Sequence, residues 1–442
     1  MSKKISGLFA LLAFLGLSLF LVNCGSSSSR PAGVLYVLSQ GENNVGSFAI
    51  DLGSGRLSLI NNTASTCPTL AQTPPVPCGF PESIVLDPSG SVAFVLDQGD
   101  PTHVDSQGAA NPIPPMVYAY NVNSHGSLTA TGPPVKVGAS IDNDPLTADT
   151  ATAMTRDTSG NFLFVISEGA NSPPNGCAAP QPPTNGCPAI SVFSTQSGSA
   201  NLTPVLGSPF ILGRVPTSLA AGAGPNGTLL YVTSNKDFAG INDNQVSAFN
   251  VDASGVVTPQ TNPPYATGSV PTVVLTVQTA PTGGSGGLFV YVANSGNGSG
   301  ANSVSIFQVC TQITATCTSQ DVTATNNTLI PVGSPVSVGL NPVAMTVDPT
   351  NNFLYIVNHG SSSLSAFRIN PTTGELSALT PSSVSTGSSP VASTMHSSGK
   401  FLYVSNNASS NISGFDVSTT NGALSNATIV TSSTQPAGLV AK

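Results

Sequence analysis

The sequence predicts an all-β protein, a seven-bladed β-propeller with four antiparallel strands in each blade. Three observations lead to this prediction. A two-strand motif occurs seven times, further apolar strands precede and follow it in most copies, and the last copy ends in a segment that the first copy lacks. A repeated unit that cannot bury its own apolar face indicates an architecture in which each unit packs against the next.

The two-strand motif is clearest in Phe401–Asp416, where an apolar strand and an alternating strand flank an Asn/Ser-rich turn. The first strand of this pair recurs as Val34–Leu38, Val92–Leu96, Phe162–Ile166, Leu229–Thr233, Leu288–Ala293, Phe353–Val357 and Phe401–Ser405. The second strand always has an apolar residue, two variable residues and an aromatic: Val45–Phe48, Val117–Tyr120, Ile190–Phe193, Val246–Phe249, Val304–Phe307, Leu364–Phe367 and Ile412–Phe415.

An apolar strand such as Val343–Val347 comes before the pair, and a Gly-x-Leu signal such as Gly374–Leu376 opens a strand after it. The unit therefore has four strands, and seven such units predict a propeller. The first unit starts at its second strand, whereas the last unit is followed by Gln435–Val440. We therefore predict that Pro436–Val440 supplies the missing strand of the first blade and closes the ring.

Charged residues make up 7% of the chain, against about 25% in an average soluble domain. A mature chain beginning at Cys24 would carry 9 basic and 19 acidic residues, a net charge of 9 − 19 = −10. A surface this poor in Lys and Arg argues against nucleic acid or anionic lipid as partners.

The N-terminal residues predict an export signal. Lys3 and Lys4 precede the apolar run Ile5–Val22, which is the layout of a secretory signal. Leu21–Cys24 resembles a bacterial lipobox, and a Ser-rich tether follows. The predicted organisation is a signal peptide at 1–23, a tether at 24–32 with Cys24 as the lipidation site, and the propeller at 33–442. The alternatives are an uncleaved signal anchor or a plainly cleaved peptide, and all three place the propeller outside the cytoplasm. The predicted location is the bacterial cell envelope, lipid-anchored, in the periplasm or at the cell surface.

The other six cysteines form three close pairs in the sequence: Cys67 and Cys78, Cys177 and Cys187, Cys310 and Cys317. Three local disulfides are the simplest of the possible connectivities, and an oxidising compartment permits them. Metal binding by these cysteines is disfavoured because no CxxC pair or His partner accompanies them.

In such a blade, the loop between the second and third strands and the connection to the next blade share one face, which we call the upper face. Most long insertions are loops of this kind, and long loops on a rigid scaffold tend to carry function. His125 and His396 fall on the opposite face by this argument, where we expect them to be exposed to solvent.

Asn341–Asn358 and Phe401–Asn406 resemble the seven-bladed lactonase-like propellers, a family with 6-phosphogluconolactonase-type and muconate-lactonising-type enzymes and YVTN-like surface proteins. The pattern extends over most of the chain from Gly33 to Val440. Family enzymes tend to have a His after the Pro that opens a blade, whereas here the corresponding residues are Glu82, Thr217, Thr272, Val343 and Val391. Glu168 stands where a family member has Glu after its second strand.

Six polar residues are predicted to reach the upper face: Glu82, His103, Asp149, Glu168, Arg214 and His359. Lactone opening needs a general base for water and a cation or donor for the developing oxyanion. Glu168 or His103 is the candidate base and Arg214 the candidate electrophile. The alternative is that all three are ordinary loop residues.

No cofactor is predicted, although several aspartates could offer oxygen ligands to Ca²⁺. These are Asp97, Asp100, Asp105, Asp142, Asp144 and Asp243. None has EF-hand spacing, and aspartates are common in turns without a metal.

Two functions remain open from the sequence. The first is a lipid-anchored, monomeric scaffold that binds a protein or glycan partner through its long loops. The alternative is a lactonase-like hydrolase that opens a sugar or related lactone at the mouth of the central channel.

Lipidation can be tested in cells that express the full chain with an alkynyl palmitate analogue. We expect label on the wild-type protein and none on Cys24→Ala, because the thioether forms at that sulfur. An unlabelled wild type, or label that survives the substitution, would refute the lipid anchor.

Overall fold

The computed structural model describes residues 33–60, 64–65, 79–100, 102–104, 108, 112–138, 149–169, 187–237, 242–261, 264–280, 286–296, 301–312, 317–318, 321, 327–432 and 434–442. The chain divides into two units, Met1–Arg30 and Pro31–Lys442. The first unit lies wholly outside the described residues, so the signal peptide, the tether and Cys24 stay predictions. Across the described residues we find no helix with the length and apolar character needed to cross a membrane.

The second unit contains seven antiparallel sheets, which confirms the predicted seven-bladed propeller. In each sheet the strands lie in the order first, second, third and fourth, counted from the inner strand. From blade 1 to blade 7 the inner strands are Pro436–Ala441, Pro81–Leu86, Ala151–Arg156, Val215–Gly224, Pro271–Gln278, Pro342–Val347 and Pro390–Met395. The second strands are Val34–Ser39, Val92–Asp97, Phe162–Ser167, Gly227–Lys236, Leu288–Asn294, Phe353–Asn358 and Phe401–Asn406.

The third strands are Asn44–Ile50, Met116–Val122, Ala189–Gln196, Asn242–Val251, Ser303–Val309, Ser363–Ile369 and Asn411–Val417. The fourth strands are Leu57–Leu59, Leu128–Ala130, Ser199–Pro204, Val257–Pro259, Leu329–Pro331, Leu376–Ser385 and Leu424–Thr431. In blades 1 to 5 a short fifth strand also pairs with the third: Ala64–Ser65, Val135–Lys136, Phe210–Ile211, Tyr265–Ala266 and Val336–Ser337.

The C-terminal strand closes the ring as the sequence predicts. Pro436–Ala441 pairs antiparallel with Val34–Ser39, with Leu439 opposite Val37 and Pro436 opposite Ser39. The inner strand of each blade contacts the inner strand of the next, and that of blade 7 contacts that of blade 1. The chain therefore completes blade 1 from both of its ends.

The hydrophobic core is a set of layers between neighbouring blades. In the second strand of blade 6, Leu354 and Ile356 pack with residues of blade 5, whereas Tyr355 and Val357 pack with residues of blade 7. Successive side chains of a strand point to opposite sides, and both sides are covered, so all six residues of Phe353–Asn358 are buried. Each blade therefore needs both neighbouring blades to bury the apolar side chains of its two faces.

A tyrosine in the second strand links several blades to the next one. Its hydroxyl donates a hydrogen bond of 2.7–2.8 Å to the carbonyl of a glycine in the third-to-fourth turn of the following blade. The pairs are Tyr291 with Gly374, Tyr355 with Gly422, and Tyr403 with Gly55. Burial raises the pKa of all three tyrosines, so they remain neutral donors.

The glycine of the Gly-x-Leu signal is required by this contact. Gly374 and Gly422 both have φ of 74°, a left-handed conformation that favours glycine. A Cβ atom on either residue would lie 2.3 Å from the ring of a phenylalanine in the preceding blade. The signal that we used to place the fourth strand thus marks the point where adjacent blades touch.

The second strands run slightly further than the sequence predicts. In six blades the structure adds one residue at the C-terminal end of the strand: Ser39, Asp97, Ser167, Asn294, Asn358 and Asn406. These residues are all buried. They lie at the upper face, and one of them, Asp97, is part of the candidate site described below.

One histidine is placed differently from the prediction. His125 is exposed, as expected, but His396 is only 3% exposed. Its Nδ1 forms a hydrogen bond with the Ser398 hydroxyl in the turn after the inner strand, and its ring lies against Phe401. Burial lowers the pKa of His396. The prediction of a solvent histidine was wrong because Gly33 and Lys442, brought together by ring closure, lie against the imidazole ring.

The predicted disulfide between Cys310 and Cys317 is present, with the Cα atoms 5.4 Å apart. Cys187 is also disulfide-bonded and buried. Cys67, Cys78 and Cys177 lie outside the described residues, so their pairings stay predictions.

The tyrosine contact gives a stability prediction. Tyr355→Phe removes the donor to Gly422 and leaves a buried carbonyl without it, so we expect the free energy of unfolding to fall by about 1–2 kcal/mol. Tyr231→Phe is the matched control, because the buried Tyr231 hydroxyl has no hydrogen-bond partner among the described groups, and we expect little change. Urea unfolding of the two variants measures the difference, and equal losses would contradict the proposed role of the contact.

Candidate functional site

Every inner strand has a β-bulge where it begins on the upper face. In blade 2 the register shifts between Pro81 and Ser83, so that Glu82 is the bulge residue. In blades 2 to 7 the bulge residues are Glu82, Thr152, Thr217, Thr272, Val343 and Val391. Bulges redirect side chains and are frequent beside functional sites.

Glu82 differs from the other bulge residues because it is acidic. Thr217 and Thr272 donate their hydroxyl protons to the carbonyls of Pro271 and Pro342 in the next blade, at 2.9 and 2.6 Å. Glu82 instead accepts a hydrogen bond of 2.9 Å at Oε2 from Nε2 of Gln40. It lies at the upper mouth of the channel, on the wall between two inner strands.

Burial raises the pKa of Glu82 to about 7, and the bond from Gln40 opposes the shift only in part. No charged group contributes to this shift among the residues that the structure describes. An isolated carboxyl with a pKa near neutrality exists in both protonation states at physiological pH. It is therefore suited to proton transfer.

The last residue of the second strand is an aspartate in blade 2, whereas it is an asparagine in blades 5 to 7. In blades 5 to 7 an asparagine at this register donates to a serine of the third strand: Asn294 to Ser305, Asn358 to Ser365, and Asn406 to Ser413. In blade 2 the register holds Asp97, and the serine is replaced by Tyr118. A carboxylate thus stands where the other blades have an amide donor.

Asp97 is 1% exposed. Its Oδ1 accepts a hydrogen bond of 2.8 Å from the amide of Gly99, whereas Oδ2 is buried without a partner among the described groups. Burial raises the pKa of Asp97 to about 6, against the lowering effect of hydrogen bonds from Gly99 and Gly79. The charge of Asp97 in turn adds to the effect of burial in raising the pKa of Tyr118.

The residues that directly follow the second strands of the different blades form a ring around the upper face. The amide of each donates to the carbonyl of the residue just before the inner strand of the same blade, as in Glu168 to Thr150 and His359 to Asn341. A side chain of this ring can reach the next blade, since His359 Nδ1 donates to the Pro390 carbonyl at 3.1 Å. Members of this ring are Gln40, Gln98, Glu168, Ser295, His359 and Asn407.

Glu168 is half-buried and is the acidic member of this ring. Burial raises the pKa of Glu168, and the positive charge of Lys236 in blade 4 acts in the opposite direction. Asp149, just before the inner strand of blade 3, is 1% exposed and accepts a hydrogen bond of 2.8 Å from Gly169.

Four carboxyl groups therefore lie on the upper face of blades 2 and 3. We call Glu82, Asp97, Asp149 and Glu168 the acidic arc. Blades 5 to 7 have no carboxylate at the registers of Glu82, Asp97 and Glu168. The repeat has thus lost its symmetry at one sector of the channel mouth, which is where we place the candidate site.

The three predicted catalytic residues lie on the upper face but on three different blades. His103 is in the loop after the second strand of blade 2, half-buried, with its amide 3.4 Å from the carbonyl of Asp100. Glu168 follows the second strand of blade 3. Arg214 precedes the inner strand of blade 4 and lines a cavity between blades 3 and 4. The cation that acts on Glu168 is Lys236, which the sequence reasoning did not select.

Sequence reasoning also gave no catalytic role to Glu82 and treated Asp97 as a potential Ca²⁺ ligand. Had the predicted second strands been one residue longer, aligning the blades would have placed Asp97 at the position that Asn294, Asn358 and Asn406 hold in blades 5 to 7. Among the described residues, no group of three or more His, Cys, Asp or Glu side chains is arranged to hold a metal ion. Asp105, Asp142 and Asp144 lie outside those residues, so Ca²⁺ binding stays untested.

Fold and site together define a seven-bladed β-propeller with an acidic sector at the upper mouth of its channel. The family model described as "Lactonase, 7-bladed beta-propeller" matches residues 284–380 and 338–439. This match confirms the resemblance to the lactonase-like propellers that the motifs of the last blades indicate. No curated protein matches the sequence.

Solved structures of other proteins match almost the whole chain. A candidate 6-phosphogluconolactonase of Bacteroides uniformis is 13% identical, with 93% of this chain and 99% of that chain covered and a TM-score of 0.63. The periplasmic gluconolactonase of Pseudomonas aeruginosa is 16% identical, with coverage of 92% and 98% and a TM-score of 0.57. A protein of Lactobacillus plantarum is 12% identical, with coverage of 93% and 99% and a TM-score of 0.61. At these identities the likeness shows the fold alone.

The raised pKa of Glu82 predicts a pH dependence of stability. A carboxyl whose pKa rises from 4.5 to about 7 on folding binds more protons in the folded state, so its stabilising contribution is complete below pH 4.5 and is lost as the pH rises through 7. Glu82→Gln should therefore stabilise the protein at pH 8 relative to the wild type and have little effect at pH 4.5.

Urea unfolding at the two pH values measures this effect. Glu375→Gln is the control, because Glu375 is exposed in a third-to-fourth turn on the opposite face. A Glu82→Gln variant that changes stability equally at both pH values would show that Glu82 titrates normally.

Proposed function

We propose that this protein is a hydrolase that opens a small lactone at the upper mouth of the channel, with Glu82 as the general base. The observation that carries the proposal is the isolated Glu82 carboxyl, with a pKa of about 7, at a bulge on the channel wall. The lactonase family match and the gluconolactonase neighbour support this alternative over the loop-mediated scaffold.

The reaction requires one proton to move twice. The Glu82 carboxylate takes a proton from water as the oxygen attacks the lactone carbonyl. The tetrahedral intermediate then collapses, the ring C–O bond breaks, and the protonated Glu82 returns the proton to the departing alkoxide. The product is a hydroxy acid, and the base is restored without a covalent intermediate.

The developing oxyanion needs a hydrogen-bond donor or a cation. We assign this role to the side-chain amide of Gln40, whose Nε2 lies 2.9 Å from Glu82 Oε2 and carries a second N–H. Lys236, at the end of the second strand of blade 4, acts on Glu168 rather than on Glu82 and is given no catalytic role. Arg214 is assigned to the neighbouring cavity instead, and His103 to the rim of the upper face.

The acids of the arc also bear on the substrate. A phosphorylated lactone would bring a dianion to a mouth that has carboxyl groups in two adjacent blades, and like charges at short range repel. We therefore propose a neutral lactone. The extracytoplasmic, lipid-anchored location remains a proposal that rests on the N-terminal sequence.

Hydrolysis of glucono-δ-lactone by the full chain, followed in a pH-stat and corrected for the spontaneous reaction, tests the proposal. We expect kcat/KM to rise with pH to a plateau above about pH 7, and Glu82→Gln to lower it at least about 100-fold. Gln40→Leu should lower it by about tenfold or more, whereas Glu375→Gln should retain wild-type activity.

Two negative results of this experiment would reject different parts of the proposal. Wild-type activity in Glu82→Gln would reject Glu82 as the base. No activity of the wild type on glucono-δ-lactone or on the five-membered glucono-γ-lactone would reject the hydrolase and favour the scaffold, in which the long loops bind a protein or glycan.

A further inference from the structure

Blades 5 to 7 share a polar contact behind the channel mouth that blade 4 lacks. A Gly-x-x-Pro segment leads into each inner strand, and the glycine amide donates to the same third-strand serine that receives the asparagine amide described above. We call this contact the Gly–Ser–Asn clamp. Its glycine–serine pairs are Gly268 with Ser305, Gly339 with Ser365, and Gly387 with Ser413, at 3.2–3.4 Å.

Blade 4 has the glycine and the serine of the clamp, Gly213 and Ser247, but not the asparagine. Ser234 lies opposite Pro216 in the neighbouring strand. The clamp asparagines lie opposite the equivalent prolines: Asn294 opposite Pro271, Asn358 opposite Pro342, and Asn406 opposite Pro390. Ser234 therefore occupies the position of these asparagines. A Cβ atom added to Gly339 would lie 2.6 Å from Asn358, whereas one added to Gly213 would meet no atom of the described residues within 4 Å. The shorter serine therefore leaves a gap behind Gly213.

The gap belongs to a cavity of about 500 Å³ between blades 3 and 4. Its walls are mainly apolar and include Phe210, Leu212, Val232 and Phe249. A volume of this size lies in the range of small-molecule sites, about 300–1,000 Å³. The cavity is a second concave feature, in the space between two blades rather than on the channel wall.

One polar side chain of the cavity lining has no hydrogen-bond partner among the described groups. Ser234 is 3% exposed, and its Oγ is buried without such a partner. Buried hydroxyl groups are normally hydrogen-bonded, so this hydroxyl can gain a partner from a ligand when rotation about the Cα–Cβ bond turns it into the cavity.

Arg214 is the charged residue of the described cavity lining. It already takes part in a contact within the protein, but a guanidinium has five N–H donors in a planar fork. That geometry suits a carboxylate, which can accept two parallel hydrogen bonds.

We propose that this cavity binds a small amphipathic monocarboxylate, with the carboxylate at Arg214 and Ser234 and the apolar body against Phe210 and Phe249. The site is separate from the channel mouth and does not depend on the proposed hydrolase activity. Its chemistry combines an apolar volume, an unpaired hydroxyl and a cation in one lining.

The probe for this proposal is 4-phenylbutyrate, titrated calorimetrically into the full chain, with 4-phenylbutyramide as its uncharged counterpart. We expect the acid to bind and the amide to bind about tenfold more weakly. Ser234→Asn restores the residue of the repeat and fills the gap, so it should weaken binding of the acid at least tenfold. Arg214→Met should bring the affinity for the acid down to that for the amide, whereas Arg56→Met, an exposed arginine on the opposite face, should have no effect.

A second readout uses the absence of tryptophan from the chain. Phe249→Trp introduces a single indole into the cavity lining, and its emission should shift when 4-phenylbutyrate binds. Gly213→Leu offers a second block at a position with open space, for use if Ser234→Asn does not fold. No binding by the wild type at millimolar probe, unchanged binding in both blocked variants, or equal affinity for acid and amide would overturn the proposal.

Discussion

The structure depends on the antiparallel pairing of Pro436–Ala441 with Val34–Ser39. Each blade buries its faces against two neighbours, so an open ring would leave a face of blade 1 and a face of blade 7 in water. The closing strand contributes to both adjacent layers, Ala437 to the layer between blades 1 and 2 and Leu439 to the layer between blades 7 and 1. The hydrogen bond from Tyr403 to Gly55 crosses the junction of blades 7 and 1, so it depends directly on this closure.

Closure also fixes where unusual side chains can act. The inner strands begin at one face of the ring, and their bulges direct one side chain per blade along the channel wall. In blades 3 to 7 that side chain is Thr or Val, and those of Thr217 and Thr272 donate to a carbonyl of the next blade. In blade 2 it is Glu82, and the low charge of the chain leaves its carboxyl without a counter-ion in the described surroundings. A single substitution in a repeated register thus creates a group that can exchange a proton near neutral pH.

The cavity between blades 3 and 4 arises in the same manner. Ser234 occupies a register where three other blades have Asn, and the loss of one amide opens a space that the clamp otherwise fills. In both places the function that we propose lies where the repeat is broken. The regular blades supply rigidity, and the exceptions supply chemistry.

The sequence alone determined the propeller, the number of blades, the four-strand unit and the closing strand, because periodic apolar residues and turn signals are local features of the chain. Phe401–Asn406 and the Gly-x-Leu signals were sufficient for that. Three features could not be predicted from the sequence: the pKa of Glu82, the burial of His396, and the Asp97 Oδ2 atom that has no partner among the described groups. These depend on neighbours from distant parts of the chain, such as Gln40 beside Glu82. Burial and electrostatic surroundings are sums over such neighbours, so only the tertiary structure could decide them.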